Sequence, residues 1–207
     1  MALHSLGRRS MLTLTAAVIA SSAWPRCANA DNMVLAPIHQ LIEGLLAVMK
    51  AGRSVSFSQR FNMLAPVIDQ TFDLTTILKA SVGANWQSLP SDQQDMLLAS
   101  FRRYSIASYV NSFNEYNGQR FLINPETRIV GNDQVVQTQI LPSSGNGHKL
   151  DYVMQQGPGG WRIVDVLADG AISRVAVQRS DFRQLIRRGG AVALAQNLDT
   201  KTVNLSG

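Results

Sequence analysis

At Gly118 the hydrophobic pattern of this chain changes period. Before it, apolar residues recur every three or four positions, as on an amphipathic helix; after it they alternate, as on a half-buried strand, until about Ser180. Helical spacing then returns. Helices, then strands, then helices specify an α+β fold: a curved antiparallel sheet of about four to five strands, packed with N-terminal and C-terminal helices.

Local signals divide the two halves further. Ile38, Leu41, Ile42, Leu45 and Val48 form one helical stripe that ends near Ala51-Gly52. Phe57, Phe61, Leu64 and Ile68 form a second, with Ser56 and Gln59 at capping-box spacing and Pro66 expected to bend or restart it. Leu74, Ile77, Leu78 and Val82 mark a third after Asp73, closed by Gly83. The longest helix is expected from Ser91, after Pro90 and with Gln94 three residues on, to Tyr116, with Gly118 as terminator. Its apolar residues fall on two faces: Leu97, Phe101 and Tyr104 on one, and Ile106, Tyr109, Phe113 and Tyr116 on another turned by about 120°. That helix needs a bend near Ser105 or two apolar neighbours.

Beyond Gly118, strands are expected at Arg120–Asn124, Thr127–Val130, Val135–Leu141, Lys149–Gln155, Trp161–Leu167 and Ile172–Arg179. The turn signals Gly131-Asn132-Asp133, Gly157-Pro158-Gly159-Gly160 and Asp169-Gly170 separate several of them. Ser180 caps a helix stopped at Gly189-Gly190. A last helix turns Ala191, Leu194, Ala195 and Leu198 inward, and a loose tail is expected over 200–207.

Residues 1–30 resemble a secretion signal. Arg8-Arg9 precede the uncharged stretch Met11–Ala23, and Ala28-Asn29-Ala30 offers small residues for cleavage after Ala30. The stretch is too short to span a bilayer. Removal takes away Cys27, the chain's single cysteine, so the exported domain, residues 31–199, has no disulfide or thiol chemistry. The formal charge of +5 also shrinks: Arg8, Arg9 and Arg26 lie in the leader with no acid, which leaves the rest near +2. A nucleic-acid binder carries a clear basic excess, and this chain does not.

Catalytic and metal motifs are lacking. His39 and His148 are far apart and in no ligand spacing, and no nucleophile elbow, phosphate loop or paired-cysteine motif occurs. Asp165 is the one carboxylate placed by alternation beside apolar residues, on the side of Trp161, Ile163 and Leu167. It fits either a general base of raised pKa, as in cone-shaped isomerases, or a strand-end carboxylate that accepts backbone or Arg hydrogen bonds. We prefer the second, because no histidine or second acid accompanies it.

A resemblance joins these pieces. Gly160-Trp161-Arg162-Ile163-Val164-Asp165-Val166, Asp169-Gly170, Ser173, Arg179-Ser180-Asp181-Phe182, Gly189-Gly190 and Leu194 resemble the MlaC/toluene-tolerance family of periplasmic lipid-binding proteins. Phe72-Asp73-Leu74, Val82-Gly83, Trp86, Leu89, Gln93, Phe101, Tyr109 and Tyr116 with Gly118 follow the same family in order. The extra residue in Ala171-Ile172, with Arg174 and Gln178, departs toward the hopanoid-associated HpnM subgroup.

The resemblance implies a cofactor-free carrier in the periplasm. Its cargo would be phospholipid or hopanoid, and its partners an inner-membrane ABC transporter complex and an outer-membrane lipoprotein complex. It also implies an apolar cavity for acyl chains. Helical stripes and strand alternation then select the lining as Leu74, Ile77, Leu78, Phe101, Tyr104, Tyr109, Phe113, Phe121, Val136, Ile140, Tyr152, Met154, Trp161, Ile163, Val166, Val175 and Val177. Two other functions share these patterns. An enzyme of lipid or isoprenoid metabolism would use Asp165 as base, and a cargo-free adaptor of a membrane complex would have a filled interior.

Overall fold

The computed structural model describes residues 27–207; all but the last four residues of the expected signal segment fall outside them, and the expected cleavage point after Ala30 falls within the first helix. Among the described residues, five α-helices and a five-stranded sheet follow in the order helices, strands, helix, and the fold is α+β. The helices are α1 (Cys27–Ala51), α2 (Phe57–Thr71), α3 (Leu74–Val82), α4 (Ser91–Ser112) and α5 (Arg174–Ser206). The strands are β1 (Arg120–Val130), β2 (Asp133–Leu141), β3 (His148–Gly157), β4 (Gly160–Ala168) and β5 (Ile172–Ser173). They pair antiparallel in sequence order, as a meander.

Local chemistry starts most helices where the sequence indicates. Ser56 and Gln59 form the capping box of α2, and the Asp73 carboxylate accepts from the Thr76 N–H at the head of α3. Pro66 lies inside α2, which continues through it to Thr71. At α4 the cap differs from expectation. Gln94 does not close a box on Ser91; its side-chain amide donates to the Trp86 and Leu89 carbonyls, fastening α4 to the 3-10 turn Gly83–Ser88 before it.

Val34, Ile38, Leu41, Leu45 and Val48 of α1 have no exposed surface. Their helix lies over β1, β2 and β4 and packs beside α2. Gly44 allows that approach, since a Cβ there would sit 2.8 Å from Val67 Cγ1. On the other side, α4 rests on α5 and α2, and α3 on α5. A bidentate Arg102–Asp69 pair fixes α4 to α2, and Arg103, donating twice to one oxygen of Asp199, fixes it to α5.

The structure corrects several boundaries. The two short strands around Pro125 are one strand, β1, whose register shifts between Ile123 and Thr127. A bulge takes up the proline, which cannot donate to the ladder. Helix α4 stops at Ser112, not Tyr116. The strand expected from Ile172 to Arg179 lasts two residues, because Ser173 accepts from the Ala176 N–H and starts α5 at once. Gly189 and Gly190 do interrupt α5, with non-helical backbone and Gly190 at φ 67°. The tail expected to be loose is helical through Ser206, with Thr202 bonded back to the Leu198 carbonyl.

Candidate functional site

A gap remains between the sheet and helices α3, α4 and α5. It is a cavity of about 290 Å³. Its walls are Ile68 in α2's last turn and Phe72 just after it, Leu74 and Ile77 of α3, Leu150 of β3, and Asp165, Val166 and Ala168 of β4. Arg174, Val175 and Gln178 come from α5. The largest share is from α4 and the residue that ends it: Phe101, Tyr104, Ser105, Ser108, Tyr109 and Ser112, then Phe113. These residues recur every three or four positions, so one face of α4 is given to the cavity. Exposed Ser112 and Arg174 mark its opening.

The space exists because three positions on that face are serines. A leucine or phenylalanine at Ser105, Ser108 or Ser112 would reach toward the sheet and fill it. Around the serines, aromatic rings form a wall. Phe72 meets Tyr109 edge-on at 5.4 Å, Tyr109 stacks on Phe113 at 5.9 Å, and Phe113 leans on Phe121 at 6.2 Å. The lining is mostly hydrocarbon and aromatic, with its charged side chains, Asp165 and Arg174, on β4 and at the head of α5.

Burial raises the pKa of the Tyr109 phenol above the ordinary tyrosine value, and the positive charge of Arg174 partly opposes this. Tyr152, behind the wall, is raised by burial and by the nearness of Tyr109. Asp165 is occupied structurally. One carboxylate oxygen accepts from the Val175 N–H at 3.0 Å and the Val166 N–H at 2.7 Å; the other accepts from the Ser173 hydroxyl. It ties the head of α5 to β4, the strand-end role preferred above. No cluster of metal-ligating side chains occurs among the described residues.

Eight of the expected lining residues meet at this cavity: Leu74, Ile77, Phe101, Tyr104, Tyr109, Phe113, Val166 and Val175. Nine do not. Leu78, Val136, Tyr152, Met154 and Ile163 are in the packed core. The sheet members of that group were expected to face a void, but they pack into the core, with α1 lying over β1, β2 and β4. Phe121 and Trp161 are half-buried against the core, Ile140 is half-buried outside the lining, and Val177 is 45% exposed on the outer side of α5. Between Val153 and Met154 the β3–β4 register shifts, so Ile163 and Val166 become the buried pair of β4. Strict alternation, which places Leu167 with Ile163, therefore fails there.

Hydrophobic pattern alone also passes over Ile68, Phe72, Leu150 and Ala168, and the polar Ser105, Ser108, Ser112, Asp165, Arg174 and Gln178. Leu150 was recoverable, since it alternates with Tyr152 and Met154 on β3. The serines carry no hydrophobic signal; their contribution is the volume they leave empty.

The family model described as MlaC protein matches residues 39–200. Among curated proteins, none matches the sequence. Among solved structures, the chain is similar to a phospholipid-binding protein from Ralstonia solanacearum, determined in complex with a phospholipid. The two share 22% identity over 84% of this chain and 99% of that one, with a TM-score of 0.73.

Proposed function

The chain belongs to the MlaC family, and from that premise we propose that it is a periplasmic carrier that holds the acyl chains of a lipid in the cavity beside α4. The observation that carries this reading is the cavity: an apolar, aromatic-walled space, open at one end, in an otherwise packed domain. Each methylene removed from water contributes about 0.8 kcal/mol, so a lipid with two chains of about fifteen methylenes meets a barrier of ~24 kcal/mol in leaving a membrane unaided. A protein that shelters even part of that hydrocarbon lowers the barrier without chemistry. Deformable aliphatic and aromatic contacts suit a carrier, which must also release.

The family match supports transfer between an inner-membrane ABC transporter complex and the outer membrane. The phospholipid in the Ralstonia solanacearum structure supports phospholipid as cargo. The departures at Ala171-Ile172, Arg174 and Gln178 keep a hopanoid as the other candidate. An enzyme using Asp165 as base is not favoured, because the carboxylate is engaged in holding α5. A cargo-free adaptor is not favoured by an interior with this much space.

The test is mass spectrometry of an organic extract of the protein purified from a periplasmic fraction. A stoichiometric phospholipid or hopanoid is expected, and its identity chooses between them; a lipid-free protein counts against carriage. Ser108→Phe, which fills the cavity from α4, is expected to lose the lipid with an unchanged circular dichroism spectrum. Full lipid retention in that variant would move the site elsewhere.

A further inference from the structure

Positive charge is unevenly placed on this molecule. Between Arg174 and the break at Gly189, α5 carries Arg174, Arg179, Arg183, Arg187 and Arg188 against the single Asp181, a net +4. The rest of the chain after the leader is therefore slightly acidic. All five arginines are exposed, and none forms an ion pair or a side-chain hydrogen bond among the described residues. Elsewhere Arg102 and Arg103 do find carboxylates. Two apolar side chains sit exposed beside these charges: Ile172 at 56% and Val177 at 45%. Val175 lines both the cavity and a surface groove bounded by Arg179 and Arg183, so the charged face runs into the site.

From this arrangement we propose that the first half of α5, with Ile172 and Val177, is a docking face for an anionic bilayer surface and sets the cavity opening against the membrane. Unpaired arginines interspersed with exposed aliphatic residues match a surface of phosphate groups over hydrocarbon: the guanidiniums meet phosphates, and the aliphatic pair enters the interface. A folded acidic protein surface satisfies the arginines but gives Ile172 and Val177 no comparable medium. The orienting role rests on the carrier reading above; attachment to the bilayer does not, and can be read without cargo.

Sedimentation of the exported protein, purified without its leader, with vesicles of phosphatidylglycerol or of phosphatidylcholine tests it, at low and high salt. Binding to phosphatidylglycerol only, weakened by salt, is expected. Each arginine replaced by glutamine should weaken it about fivefold, so Arg183→Gln/Arg187→Gln/Arg188→Gln loses roughly a hundredfold. Ile172→Ser/Val177→Ser should weaken the salt-resistant remainder. Lipid content of each variant, measured by extraction, reports separately on the carrier reading and on folding. Equal binding to both vesicle types, binding to neither, or an unaffected triple variant overturns the proposal; binding to neither would assign the face to an acidic protein partner.

Discussion

Tyr109 and Tyr152 place two phenols where ionisation is disfavoured, one at the cavity wall and one behind it. Their folded pKa values are raised, so the native protein keeps protons that the unfolded chain releases above about pH 10. The stability they contribute is complete below that pH and is lost as pH rises toward the folded values. Denaturant unfolding is expected to show a loss above about pH 10 that Tyr152→Phe reduces; an unchanged alkaline limb would contradict the burial argument. Asp165 gives a second residue-scale prediction. Asp165→Ala removes the acceptor that ties α5 to β4 and is expected to cost about 2 kcal/mol in urea unfolding, while the folded fraction still retains lipid. The caps at Ser56 and Asp73 were legible because donor and acceptor are three residues apart. The Asp165 bonds reach across a turn to Ser173 and Val175, so sequence could offer only a choice between two roles.

Among the elements, α4 shows most clearly how pattern and packing divide the work. Its two apolar faces were visible, but the structure does not part core from cavity along them: Phe101 and Tyr104 of one and Tyr109 of the other line the cavity together, Leu97 and Ile106 are core, and Tyr116 lies beyond the helix, exposed. Helix α1 reads by length and hydropathy as able to cross a membrane over Met33–Ser54. It is instead a core helix whose apolar stripe covers the sheet. Its fit depends on Gly44: Gly44→Ala is expected to cost about 1–3 kcal/mol, because Val67 must move or the helices separate. Helix α5 depends on Gly190, whose φ of 67° and ψ of −160° suit glycine alone. Gly190→Ala should cost about 1–3 kcal/mol, seen as a lower thermal midpoint. An Ala variant as stable as the parent at either site would show that the contact or the backbone angle is not maintained in solution.

For the molecule as a whole, cargo and stability are coupled, since a ligand held only by the folded state stabilises it. Removing the lipid is expected to lower the thermal midpoint, by the equivalent of about 2.7 kcal/mol when lipid stands at a hundred times its Kd. Adding lipid back should restore it, and equal midpoints with and without lipid would argue against binding to the native state. The residues that make the cavity show where sequence information ends. Helix stripes, strand alternation, caps and glycine turns were set by neighbours within a few residues, and they sufficed for the α+β order and most element starts. Which apolar faces would be covered was not local. Val136, Tyr152 and Met154 carry the same alternation as Leu150, yet the first three are buried in the packed core and the fourth lines the cavity, according to which distant helices lie against them. Hydrophobicity drives a side chain out of water whether it meets another side chain or a lipid tail, so only the tertiary structure could tell a packed interior from a hollow one.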